Sequence, residues 1–216
     1  MAHIAVSAGR TKIARGALLT LLATLLLTGS CVSQPKAPRP ERWAEPVAAK
    51  SLQNFFRLST EVYRSAQPTR MGFEDAWRAG IKSVLNLRER HSDAPLVAGL
   101  DMTLFEVPMN AGAFGEEEIV KALRAIQSAP KPVLIHCQHG SDRAGVVAAM
   151  YRIVFEGWTK EDALDELRHG GFGFHFYYVN IPAFIRAADV DRIKARLNLT
   201  PARRAGDAIP VSANSR

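Results

Sequence analysis

The sequence predicts an α/β domain built on a mostly parallel central sheet flanked by helices. Short apolar strand patterns alternate with amphipathic runs of ten or more residues, the signature of parallel strands joined by helical crossovers. One strand pattern, "PVLIH" at 132–136, is apolar without interruption, as in strands covered on both faces. The chain's 216 residues, 47% apolar and 23% charged, suit a single domain with a substantial core.

Taken in order, the chain opens with a basic region through Arg15, followed by the uncharged run "GALLTLLATLLLT". Its 13 residues are short of the roughly 20 a membrane span needs, so residues 1–30 read as an export signal. The "LTGSC" that follows resembles the lipobox of bacterial lipoproteins, with Thr28 standing where that family prefers an aliphatic residue. The resemblance implies lipidation at Cys31 and a lipid-anchored protein of the periplasm or cell envelope. Ordinary signal cleavage and an uncleaved anchor are the alternatives, and all three place the domain outside the cytoplasm.

Residues 31–50 carry Pro35, Pro38, Pro40 and Pro46 without apolar periodicity and read as a linker, so the folded domain is expected over 51–198. "NFFRLSTEVYRSAQP" reads as two short strands, and "MGFEDAWRAG" as a helix ended by Gly80. "IKSVLNLR" and "DMTLFEVP" are strands, the latter ended by Pro108. In "GEEEIVKALRAIQ", Ile119, Val120, Leu123 and Ile126 form one helical stripe behind three glutamates that favour the N-terminal dipole. "AGVVAAMYRIVFE" is a helix, and "TKEDALDELRH" another with Thr159 as N-cap and Gly170 and Gly171 ending it. A last helix is expected from Pro182 to Leu197, and a disordered tail over 199–216.

In open parallel sheets ligands bind beyond the carboxyl ends of the strands, and Cys137 stands at such an end. A strand, a tight loop containing Gly140 and a helix starting near Ala144 together make an anion site from inward N–H groups and a positive dipole end. Arg143 adds a planar fork for phosphate oxygens. A thiolate stabilised in that nest is a nucleophile suited to phosphorus. The alternative reading of Cys137 is an inert buried thiol.

"HCQHGSDRAG" resembles the His-Cys-x5-Arg loop of cysteine-dependent protein tyrosine and dual-specificity phosphatases. The likeness runs from about Val62 to Asp191, and "VYRSAQP", "VLNLR" and "AAMYRIVFEGWTKEDALDELRHGGFG" are similar to bacterial exported tyrosine phosphatases. The resemblance implies the compact dual-specificity fold and metal-free hydrolysis of phosphotyrosine through a cysteinyl-phosphate. It assigns Cys137 as nucleophile and Arg143 as phosphate clamp, with Gln138, His139, Gly140, Ser141 and Asp142 as the phosphate cradle and His136 as loop support. Two departures stand out. The family has Thr or Ser after the arginine, where this chain has Ala144, and it supplies an acidic Asp at the position ungapped alignment gives to Gly112.

Asp142 resembles the loop aspartate of Cys-x4-Asp-Arg phosphatases and is the first candidate for general acid; a cap on the following helix is its other reading. Glu116 is the second candidate, against a dipole-complementing role. Arg64 and Arg88 read as surface arginines that border the pocket only as a second option. Asn110 stands in the would-be acid loop, and "FGFHFYYVN" reads as packing under the last helix or as a pocket wall, with His175 a weak candidate for any role. No His, Cys, Asp or Glu set has metal-ligand spacing, so neither metal nor other cofactor is expected. Outside the first 30 residues the balance is 25 basic to 21 acidic, without the basic stripe and interleaved aromatics of a nucleic-acid binder.

The sequence therefore points to an exported, monomeric phosphotyrosine phosphatase, with phosphoserine and phosphothreonine as further substrates. The alternatives are a phosphatase of phospholipid, lipid A or inositol phosphate using the same loop, and a phosphate-binding pseudophosphatase.

Overall fold

The computed structural model describes residues 39–199. The expected export signal, Cys31, residues 31–38 of the linker and the tail from Thr200 lie outside the described residues.

Six strands form one sheet: β1 (Glu45–Pro46), β2 (Phe56–Arg57), β3 (Val62–Ser65), β4 (Ser83–Asn86), β5 (Thr103–Glu106) and β6 (Val133–His136). Their spatial order is β1-β2-β3-β6-β4-β5. The four strands from β3 to β5 run parallel, as the alternating pattern requires, and two short antiparallel strands extend one edge. The uninterrupted apolar run of β6 is explained by cover on both faces. Leu134 packs with Leu52, Phe55, Ala76 and Ile81 on one side, while Val133 and Ile135 join the main core on the other.

The helices are α1 (Arg70–Arg78), α2 (Ala94–Val97), α3 (Glu116–Ser128), α4 (Arg143–Phe155), α5 (Lys160–His169), α6 (Asn180–Ala187) and α7 (Val190–Arg196). Thr69 and Thr159 cap α1 and α5 by accepting from Gly72 N and Asp162 N. Helix α4 is buried along its length from Ala144 to Val154, which fits a helix that is apolar all round and surrounded by neighbours.

Two boundaries differ from expectation. The folded body begins before Ser51: Ala44 is fully buried, Trp43 is 8% exposed, and Arg39 reaches the carbonyl of Gly170 at 2.8 Å. Of the prolines that suggested a spacer, Pro46 lies in the outermost strand, an edge position that proline suits. The expected single last helix is two, because Asp189 breaks from Ala188 and caps α7 by accepting from Arg192 N at 3.0 Å.

A buried ion pair ties these parts together. Arg152 on α4 donates to both carboxylate oxygens of Glu166 on α5, at 3.1 and 2.9 Å, and to the carbonyl of Leu58 at 3.0 Å. Glu166 also accepts from the Ala44 N–H at 2.5 Å, so one carboxylate fixes both helices and the N-terminal segment. Burial works against the charge on Arg152, but Glu166 and Glu156 outweigh it and raise its pKa. Glu166→Ala leaves this guanidinium with only Glu156 and the Leu58 carbonyl and strands the Ala44 N–H, at an expected cost of about 3 kcal/mol. Urea unfolding measures it, and a loss of less than ~1 kcal/mol contradicts this account.

Candidate active site

The parallel strands end in register. Ser65, His136, Asn86 and Glu106 form one row across β3, β6, β4 and β5, and the loops that follow them build the site. Cys137 is the first residue beyond β6. It is 2% exposed and, among the described residues, a free cysteine.

The loop from Gln138 to Asp142 is held by its carbonyls. That of Gln138 accepts from Gln67 N at 3.2 Å, and that of His139 from the Asn54 side-chain amide at 2.8 Å. Those of Gly140 and Ser141 accept from Nη2 of Arg64 at 2.5 and 3.3 Å, and that of Asp142 from Val146 N at 2.8 Å. In a trans peptide the N–H points opposite to the carbonyl, so five carbonyls drawn outward turn the following N–H groups, His139 to Arg143, to the other side. This is the geometry of an anion nest at the N-terminus of α4. Gly140 is required at its centre: its φ is +73°, and a Cβ there would lie 2.6 Å from the backbone of Ser65.

Arg64 is therefore a buried brace rather than the expected surface arginine. It is 1% exposed, and its guanidinium lies 3.8 Å from the centre of the Phe172 ring. Burial lowers its pKa to about 10, against the pull of Glu166, Cys137 and Asp142, so it stays charged at neutral pH.

His136 supports the loop from below. Fully buried, it meets Asp93 Oδ2 through Nε2 at 2.7 Å. Gln67 donates to the other Asp93 oxygen at 2.8 Å and accepts from Arg88 at 3.0 Å, so a continuous network runs from Arg88 to His136. Burial disfavours the Asp93 carboxylate, yet His136, Gln67 and His91 outweigh it and hold its pKa below the usual value. Sequence reasoning missed Asp93, which follows β4 in a loop without periodicity.

Arg88, Glu89, Arg90, Asn110, Gln138 and Arg143 line an open cavity of about 430 Å³ beside Cys137. Arg88 thus borders the pocket, contrary to its expected surface role. Arg143 is half-buried and donates to the Met109 carbonyl at 3.4 Å. Asn110 lines the pocket, donating to Glu89 at 3.3 Å and accepting from Gly112 N at 2.9 Å. Ala144 is fully buried in the first turn of α4.

The two acid candidates are both engaged. Asp142 is 6% exposed and does not cap α4; its oxygens accept from His175 N at 3.0 Å and His175 Nδ1 at 2.9 Å. Glu116 lies apart from the pocket-lining set, bound by Arg192 and Arg196 of α7, and the Arg192 contact leads the causes that lower its pKa. His175 thereby gains a defined partner. Its segment divides: Phe172 is buried, whereas Phe176, Tyr177 and Val179 are 87%, 60% and 73% exposed, so packing under the last helix describes only part of it. Folding also assembles a set that chain spacing did not reveal, with ligand atoms of His139, Asp142 and His175 within 4.8 Å of one another.

Comparison with known proteins agrees with this architecture. Residues 59–157 match the family described as Tc-R-P, a polymorphic toxin system DSP-PTPase phosphatase. The dual specificity protein phosphatase TpbA of Pseudomonas aeruginosa PAO1 is 34% identical over 180 residues, covering 82% of this chain and 81% of the relative. The crystal structure of TpbA in complex with phosphotyrosine superposes with a TM-score of 0.67 at 34% identity, covering 76% of this chain and 100% of that one. The catalytic core of the yeast PP-IP phosphatase SIW14 shares the fold at a TM-score of 0.60 and 24% identity, covering 71% of this chain and 98% of that one.

Two outcomes follow from the loop geometry. Gly140→Ala forces the loop off Ser65, and its expected loss of inorganic phosphate binding is read by calorimetry; unchanged affinity contradicts the nest. The pKa of Asp93 is lower in the fold than the unfolded value of 3.8, so its stabilisation is full above that value and is lost as pH falls through the depressed one. Asp93→Asn should therefore flatten the acid side of a stability–pH curve, and parallel curves for the two proteins refute the role.

Proposed function

Since the chain belongs to the dual specificity protein phosphatase family that includes TpbA, we propose that it hydrolyses phosphotyrosine through a cysteinyl-phosphate. The observation that carries the proposal is the outward pinning of five consecutive carbonyls beside a buried cysteine and a pocket-lining arginine. The phosphoryl oxygens lie on the N–H groups of the loop and the Arg143 fork, and the Cys137 thiolate attacks phosphorus as the P–O bond to the phenol breaks. Water then attacks phosphorus, the P–S bond breaks, and phosphate leaves with the thiolate restored.

The leaving oxygen needs a proton. Asp142 has both oxygens on His175, which makes it a positioning residue in this arrangement. Glu89 lines the pocket and is the carboxyl we assign to this step. A phenolate leaves with less assistance than an alkoxide, which favours phosphotyrosine over phosphoserine and phosphothreonine in a chain with Gly112 and Ala144. We also propose, on the strength of the leader pattern, that the enzyme works outside the cytoplasm anchored through Cys31, and that it acts as a monomer.

A second reading changes only the substrate. Arg88 and Arg90 stand with Arg143 at the same pocket, which favours a polyanion such as a phosphoinositide or inositol phosphate. Comparing kcat/KM for phosphotyrosine peptides and these phosphates decides between them.

Cys137→Ser should abolish hydrolysis of aryl phosphates and retain phosphate binding; residual turnover near the parent level sinks the mechanism. If the unsubstituted chain binds phosphate without turnover and Ala144→Thr creates it, the pseudophosphatase reading replaces this one. Glu89→Gln is expected to lower kcat by about 100-fold or more, with the largest effect on alkyl phosphates. Asp142→Asn should slow all leaving groups alike, and the reverse pattern reassigns the acid.

A further inference from the structure

The segment 172–179, which follows α5 in the chain, lies against the phosphate cradle, where its His175 bonds Asp142 and its ring meets that of His139. We propose that His139, Asp142 and His175 form a site for a divalent transition ion of the zinc type, which clamps this segment to the cradle. One ligand atom from each lies within 4.8 Å of the others. The donors on a tetrahedral zinc ion, bound at 2.0–2.2 Å, sit roughly 3.4 Å apart, so the widest pair has to close by about 1 Å or slightly more. His139 is exposed and free to supply that movement by rotamer change.

The other two donors are already placed. Asp142 is 6% exposed, and its second oxygen is fixed by the His175 backbone N–H at 3.0 Å. His175 holds Nδ1 2.9 Å from Asp142 Oδ2, and the two imidazole rings are 5.5 Å apart at 68°. An ion that replaces the shared hydrogen and sits to one side of the Nδ1–Oδ2 line, about 2.0–2.2 Å from each, coordinates both atoms. The displaced proton moves through solvent to Nε2 of the same ring, so a neutral imidazole changes tautomer and neither gains nor loses charge. His139 completes three protein ligands.

The donor set selects the ion class. Two imidazoles with one carboxylate suit zinc, copper or nickel, whereas calcium and magnesium require oxygen-rich shells. Because only one ligand comes from segment 172–179 and two from the cradle, binding joins elements 33 residues apart in the chain. Any ion that binds only the folded arrangement raises its stability. The inference concerns binding and holds whether or not the loop turns over.

The test is calorimetric titration of zinc chloride into the full-length Cys137→Ser protein, which removes the thiolate of the active-site loop. One ion per chain is expected, with at least a tenfold loss of affinity in His139→Ala and in His175→Ala on that background. Zinc should also raise the unfolding temperature of the Cys137→Ser parent and leave that of both histidine variants unchanged. If His175→Ala does not fold, His139→Ala, which alters an exposed side chain, carries the comparison. Failure of the Cys137→Ser protein to bind zinc, or equal binding by the histidine variants, overturns the proposal.

Discussion

The candidate site depends on one buried guanidinium. Arg64, on β3, bonds the carbonyls of Gly140 and Ser141 from beneath the loop and stacks on Phe172. Burying an unpaired charge costs several kcal/mol, and here two carbonyls, an aromatic face and the fields of Glu166, Cys137 and Asp142 offset part of that cost. An apolar side chain would fill the same space and leave both carbonyls with no reason to face away from the nest. The peptide planes would then be free to turn, and with them the N–H groups on which the nest rests. Phe172 depends in turn on its neighbours, since Ser141 and Asn54 bond its carbonyl at 2.7 and 2.9 Å.

Much of this was legible in the sequence because it is local. The strand 133–136, the nucleophile position, the glycine and the following helix are contiguous, and a continuous apolar run followed by a polar turn encodes them directly. Arg64 was misread although its signal was present: it shares the strand face of Val62, two residues earlier, which is fully buried. Asp93 and His175 were not legible, because their partners lie 43 and 33 residues away and nothing local marks the pairing. The early start of the fold was hidden for a related reason, since Trp43 and Ala44 are too few to make a period, and the partner of the Ala44 N–H, Glu166, lies far along the chain.

The longest stretch of family likeness, "AAMYRIVFEGWTKEDALDELRHGGFG", is chiefly architectural. It supplies the Arg152–Glu166 pair, and the Arg152 guanidinium lies 4.3 Å from the centre of the Trp158 ring. The departures from the family pattern fall nearer the chemistry. Gly112 is exposed in the loop after β5, while Ala144 is sealed in the first turn of α4, so the first position tolerates many residues and the second only small ones.

The row formed by Ser65, His136, Asn86 and Glu106 has an evolutionary consequence. Four loops leave the sheet from one line, and the residues that fix the sheet lie behind that line. Val107 and Met109 belong to the core, but largely exposed stretches beyond them, such as 110–113, can be exchanged with little disturbance to it, as fittings on a common rail. A lineage built on this frame can explore new substrates by loop replacement while the nucleophile and its cradle stay where they are.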